Sequence, residues 1–137
     1  MPRSSWIERD VVIVACAVSA GIHGALVPDH LEESTAAGLG FAVSTVLLAA
    51  LVAWLTFGTG RLELAAAAAV LAGLLVSYGL AITTGLPVLH PEPEAVETLA
   101  LATKAVEVVG LAAAGLLLLR DRPRLPLSTL RPKGTTP

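Results

Sequence analysis

Lys104 and Glu107 stand three residues apart inside an apolar stretch, 96–119, whose only other charge is Glu97 near its start. On a helix that spacing puts the ammonium and the carboxylate on one face, where they can pair. A charge near the middle of a bilayer costs at least about 2.5–3.5 kcal/mol on insertion scales, so it faces a bundle interior and finds a partner. Two chemistries fit the pair. It is a proton-linked or anion-binding site, or it is a buried ion pair that fixes helix register, with Tyr78 beside it.

The chain has three histidines, His23, His30 and His90, and each lies near carboxylates: Asp29, Glu32, Glu33, Glu92 and Glu94. Imidazole with carboxylate suits zinc, copper or nickel. The candidate metal ligands are His23, His30 and His90, assisted by Asp29 or Glu92. Cys16, a soft ligand, falls seven residues before His23 and shares its helix face, with Ser19 between them. These groups come from two loops and one helix, so no local spacing motif joins them. The alternative is that the carboxylates are solvated and His23 hydrogen-bonds Tyr78 or a carboxylate. Cys16 is the only cysteine, which excludes an internal disulfide, and no paired-cysteine zinc pattern is present.

The elements that must position these groups are long and apolar. Of 137 residues 55% are hydrophobic and 15% charged, against about 25% charged in a soluble domain, and the mean hydropathy is +0.78. Four segments, 11–27, 35–57, 62–86 and 96–119, approach or exceed the roughly 20 apolar residues that cross a bilayer. Pro28, the Gly58-Thr59-Gly60 turn, Gly85-Leu86-Pro87 and Arg120-Asp121-Arg122-Pro123 close them in turn. None alternates with the period of two that a barrel strand needs. The expected fold is all-α, an integral membrane four-helix bundle over 1–120, with an irregular, basic, proline-rich tail over 121–137. Ile13-Val14-Ala15-Cys16 resembles a lipoprotein cleavage box, but the apolar run before Cys16 is too short for a signal, so 11–27 is read as a retained span. Pro28 is read as the start of a short helix along the outer face, and Pro87, Pro91 and Pro93 as stiffening the other outer loop.

Basic residues set the orientation. Arg3, Arg9, Arg61, Arg120, Arg122, Arg124, Arg131 and Lys133 fall at the N-terminus, the second loop and the tail, while the first and third loops hold no Lys or Arg and carry acidic residues and histidine. The positive-inside rule therefore places both termini in the cytoplasm and the histidine-containing loops outside the cell membrane. Counted from the outer ends, His23 lies about 6 Å deep and Cys16 about 17 Å deep. Glu107 falls near the midplane, on one stripe with Lys104 and Glu97. The inner halves carry no ionisable or hydroxyl side chain at all over 46–53, 64–76 and 108–119. A polar outer half over an apolar floor argues against an ion-conducting pore, which needs a polar or hydrated lining throughout. Ala17, Gly21 and Ala25 form a small-residue row expected to pack between helices, and 65–69 is an alanine run.

Two stretches, 22–34 (IHGALVPDHLEES) and 78–87 (YGLAITTGLP), followed by Glu92 and a glutamate in the last helix, resemble a group of small uncharacterised four-span membrane proteins of actinobacteria. That resemblance implies a four-helix membrane fold with extracytoplasmic His and Glu positions; it implies no activity, cofactor or substrate. In that group Ser-Arg often stands where this chain has Ala81-Ile82, so a charge typical of the group is absent here.

The functional expectation is an outward-facing polar cavity that binds a ligand, with a transition-metal ion (copper, zinc or nickel) as the first candidate and Lys104, Glu107, Tyr78 and Cys16 beneath it. The alternative is a non-catalytic accessory subunit, a homo-oligomer or part of a larger membrane complex, in contact with the lipid bilayer. No phosphate loop, nucleophile elbow or nucleic-acid surface is present, and an enzyme using His23 and Glu107 as acid and base has no motif behind it.

Overall fold

The computed structural model describes residues 3–85 and 95–120, with side chains from residue 6 onward. Four helices follow one another: α1 (Arg3–Glu33), α2 (Thr35–Phe57), α3 (Arg61–Thr83) and α4 (Thr98–Arg120). At 1.5 Å per residue, 23 residues span about 35 Å, more than the hydrocarbon thickness. All four are long and apolar enough to cross a membrane. The chain is a small multi-pass membrane protein built as a four-helix bundle. α1 packs along α2 and against α4, α3 closes the ring against α4 and less extensively against α2, and α1 scarcely meets α3 across the diagonal.

The polarity of the bundle suits lipid. Large apolar side chains such as Val43, Val46, Val76, Val108, Val109 and Leu119 are exposed, whereas Ser19, His23, Thr103 and Glu107 are buried. In water so much exposed apolar surface would drive aggregation; in a bilayer it meets acyl chains, and it is the polar groups that must turn inward.

The two ends of the bundle are unlike. At the end holding Arg9, Arg61 and Arg120, the Arg9 guanidinium donates to the carbonyl of Leu55 at 2.8 Å and 3.1 Å, and also to that of Gly58. Arg61 donates to the carbonyl of Leu118 at 3.2 Å. The last carbonyls of a helix have no partner within it and carry its negative pole, so the arginines complete both helix ends that finish here, α2 and α4. Arg120 forms an ion pair with Glu8. α1 itself begins at Arg3, well before the apolar run at residue 11, so that Glu8 and Arg9 of the clasp are helical. At the opposite, histidine end, Ser34 alone separates α1 from α2. Its extended backbone breaks the helix, and its hydroxyl accepts the N–H of Ala37 at 3.4 Å as an N-cap.

α2 matches the expected span, and α4 differs from it by two residues or fewer at each end. α3 stops three residues short of 86, because Thr84 returns its N–H to Leu80 at 2.9 Å and Gly85 follows with φ 70°. That left-handed backbone ends helices and favours glycine. Two expectations are corrected. The first helix does not end at Pro28; it runs through to Glu33 in place of a separate short surface helix. Proline there removes only the bond to the Gly24 carbonyl, close to the helix end, and His30 supplies a further donor to the Leu26 carbonyl at 2.9 Å.

The second correction concerns small residues. Ala17, Gly21 and Ala25 are exposed, and a Cβ at Gly21 would meet nothing within 4 Å. The face of α1 that carries Cys16, Ser19 and His23 is turned inward instead, because polar groups left in lipid cost more than small-residue packing returns. Close approach occurs at Gly110, where a Cβ would lie 2.6 Å from that of Ala15 and 3.1 Å from Leu71 Cδ1. Gly110→Ala is therefore expected to destabilise the fold by about 1–3 kcal/mol, as for other overpacked sites, read as a lower unfolding midpoint in detergent. Gly21→Ala serves as the neutral control, and equal midpoints for the two variants would refute the close packing of α1, α3 and α4 at this point.

Candidate functional site

The buried stripe of α4 runs Thr103, Glu107, Gly110, Ala114 and Leu117, the three-and-four spacing of one helix face. Glu107 is the one charge on it and has no exposed surface. Its Oε2 accepts from Lys104 Nζ at 2.7 Å, one turn earlier. Its Oε1 accepts from the Ser19 hydroxyl on α1, also at 2.7 Å. Both oxygens are thus satisfied by charge-assisted or hydroxyl donors, the condition on which a buried carboxylate is tolerated. The Lys104 side chain keeps 15% exposure, and its ammonium lies 5.5 Å from the centroid of the Tyr78 ring on α3. The Tyr78 hydroxyl is itself buried without a hydrogen-bond partner among the described residues.

Ser19 differs from the hydroxyls around it. Ser44, Thr45, Thr83 and Thr103 each return their proton to the carbonyl four residues back on their own helix. Ser19 sends its proton across to α4. Behind it stands His23, 8% exposed, whose Nδ1 lies 2.8 Å from the Ser19 carbonyl and 3.3 Å from the Ser19 hydroxyl. A carbonyl only accepts, so Nδ1 carries the hydrogen and Nε2 the lone pair. His30 repeats the arrangement with its Nδ1 on the Leu26 carbonyl.

Phe41 of α2 packs against both imidazoles. Its ring stacks on His30 at 3.8 Å between centroids and meets His23, tilted, at 5.3 Å. Seven helical residues separate the two histidines, about 10.5 Å of rise, and the phenyl ring occupies that interval. A polar column results, from His30 at the histidine end through Phe41 to His23, Ser19 and Glu107, with Lys104 and Tyr78 beside its foot. Below it the core is dry: Val12, Leu48, Leu51, Leu55, Leu64, Leu71, Ala114 and Leu117 are all buried. Cys16, buried and free, sits at the boundary within electrostatic reach of Glu107.

The sequence-derived residues are distributed as follows. Lys104, Glu107, Tyr78, His23 and Cys16 come together, and Ser19 and Phe41 join them. His30 belongs to the top of the column and Asp29 is exposed beside it. His90 and Glu92 lie outside the described residues. Among the described residues no three His, Cys, Asp or Glu side chains gather as a metal site. His23 bonds Ser19 and packs on Phe41, where Tyr78 or a carboxylate was the expected partner. An open groove of about 550 Å³ lies away from the column, between α1 and α4 on an apolar face that includes Val14, Val18, Val106 and Val109. Phe41 and the Ser19 bond escaped the sequence reading. The position of Ser19 on the Cys16 and His23 face was the available signal for the second.

No protein-family model matches the chain, and comparison with curated proteins and with solved structures found no match either.

The ion pair generates a stability prediction. Lys104→Met leaves Glu107 buried without its cation and is expected to destabilise the protein by about 3–5 kcal/mol, the range for breaking a buried pair from one side. The double variant Lys104→Met/Glu107→Leu removes both charges and is expected to recover most of that loss. Equal losses in single and double variants, read by unfolding in detergent, would show that the two charges do not depend on each other.

Proposed function

We propose that the protein is a binding protein of the cell membrane, which takes a small ligand from the extracytoplasmic side into the polar half of its bundle. One observation carries this reading: in the histidine half the buried polar groups Ser19, His23 and Thr103 accompany a charged pair, Lys104 and Glu107, beside a tyrosine hydroxyl without a hydrogen-bond partner among the described residues, whereas at the arginine end buried Glu63 serves the start of α3. A purely structural ion pair needs neither that free hydroxyl nor a histidine column leading to it. The orientation rests on the arginines at the opposite end. With Cys16→Ser as background, Glu32→Cys is expected to react with a membrane-impermeant maleimide in intact cells, and Thr59→Cys only after permeabilisation. The reverse pattern would invert the topology and with it the side from which the site is reached.

The first ligand class to test is a transition-metal ion of the copper, zinc or nickel type. Both described histidines tie Nδ1 to a carbonyl and so present Nε2, the arrangement in which a second bond orients an imidazole for a metal. Because Phe41 separates His23 from His30, one ion would draw on His30 and Asp29 with His90 and Glu92, and His23 would serve the layer below. Protein purified in mild detergent and loaded with each metal in turn is expected to retain one ion per chain by mass spectrometry, and to lose it in His30→Ala. Absence of metal from the loaded wild type would remove this ligand class.

A second reading, an accessory subunit of a larger membrane complex, is favoured by the exposed small-residue row Ala17, Gly21 and Ala25, a surface suited to another helix. A stoichiometric partner co-purifying from native membranes would support it, whereas a stable homo-oligomer without other chains would count against it.

A further inference from the structure

The geometry points to the groove between α1 and α4 as a seat for one acyl chain of an ethanolamine phospholipid, in the leaflet that the arginines face, with Asp10 holding the ammonium of its headgroup. The site is separate from the polar column and stands whatever the column binds. Two independent observations meet there, the shape of the groove and the position of one unengaged acid.

The shape follows from the helix seam. Ala15 and Gly110 let α1 and α4 approach closely, and Ala15 forms part of the groove lining. Val11, Val14 and Val18 of α1 and Val106 and Val109 of α4 stand along it. Valine on a helix holds essentially one rotamer, so these walls are set before anything enters. The volume of about 550 Å³ lies within the range of small-molecule sites. From Asp10 to Val18 the groove rises about 12 Å, close to the roughly 15 Å that is half of a bilayer's hydrocarbon. Its far end, at Val18, Ala105 and Val106, lies beside Glu107 in sequence and depth. A groove that stops at mid-membrane fits a lipid chain, which belongs to one leaflet. A transmembrane helix of a second copy would run on through the other half, beyond the groove.

The headgroup class comes from charge. Three acids are described at the arginine end, Glu8, Asp10 and Glu63. Glu8 pairs with Arg120, and Glu63 accepts the N–H of Gly60 at 3.1 Å. Asp10 is exposed on the groove and has no hydrogen bond or ion pair among the described residues. The arginines here are engaged elsewhere, Arg9 on the carbonyls of Leu55 and Gly58, Arg61 on that of Leu118 and Arg120 on Glu8. A carboxylate beside the groove repels a headgroup whose only charge is its phosphate. It receives a primary ammonium through a charge-assisted hydrogen bond. That selectivity runs against the one the basic residues of this end would give by themselves, since clustered Lys and Arg draw anionic lipid.

The test offers the full chain, stripped of lipid in mild detergent, equal amounts of phosphatidylethanolamine and phosphatidylglycerol with identical acyl chains, and reads bound lipid by native mass spectrometry. The wild type is expected to retain one lipid per chain, with ethanolamine favoured about fivefold, the upper range for an exposed ion pair. Asp10→Asn is expected to keep a lipid and lose the preference. Val14→Trp, which fills the groove, is expected to lose both lipids, whereas Val43→Trp, on the exposed side of α2, keeps them. The wild-type comparison decides alone if a variant fails to fold: equal retention, or a preference for the glycerol headgroup, would overturn the assignment. So would a preference that survives in Asp10→Asn, lipid retained by Val14→Trp, or a stable lipid-free dimer, which would give the groove to a second copy.

Discussion

The bundle is organised by the need to keep one carboxylate, Glu107, away from lipid. With no exposed surface and a position near the middle of α4, it must find donors for both oxygens within the protein. Lys104 meets one from the same helix and Ser19 meets the other from α1. The second bond fixes the rotation of α1. Once Ser19 faces α4, Cys16 and Val12 below it and His23 above it are carried inward, and Ala17 and Gly21 are carried out. One turn further along α4, Gly110 lets the Ala15 methyl approach closely enough for the bond to form.

From that point the core divides. Towards the histidine end it holds hydroxyls, imidazoles and the tyrosine; towards the arginine end it is leucine, valine and alanine, with buried Glu63 at the start of α3. The polar half has alternatives available to it, because hydroxyls and imidazoles exchange partners by rotation or by moving a proton. The apolar half has only close packing, which resists deformation. Rigid support beneath and adjustable chemistry above is an arrangement in which a change at the histidine end leaves the arginine clasp undisturbed.

Much of this was legible in the residues, and what was not has identifiable causes. The four spans followed from hydropathy, because a bilayer imposes length and polarity on any segment that crosses it. Lys104 and Glu107 stood out because charge inside such a segment is expensive, and they pair as the spacing suggested. The partner on α1 was hidden, since a serine in a membrane helix is ordinarily satisfied by its own backbone, as Ser44 and Thr45 are. Phe41 was overlooked because an apolar residue in an apolar helix carries no signal until its neighbours are known. The row at Ala17, Gly21 and Ala25 misled because small residues indicate where helices can approach, and a competing polar requirement on the adjacent face decided the rotation. Pro28 misled in the same way. Its local effect is real, yet it removes one hydrogen bond near a helix end where other donors are at hand.

The arginine clasp has a consequence for how such a chain is assembled as it is made. Arg9, in the second turn of α1, completes the end of α2; Arg61 opens α3 and completes the end of α4. Each odd helix thus brings the cap for the helix that follows it, and α1 with α2 forms a finished hairpin before α3 has been synthesised. The second hairpin is self-sufficient in the same sense. The bonds that join first helix to last, Glu8 to Arg120 and Ser19 to Glu107, cannot exist until α4 has emerged. Until then the Ser19 hydroxyl has only its own helix to bond, so the polar column is the last part of the molecule to be built.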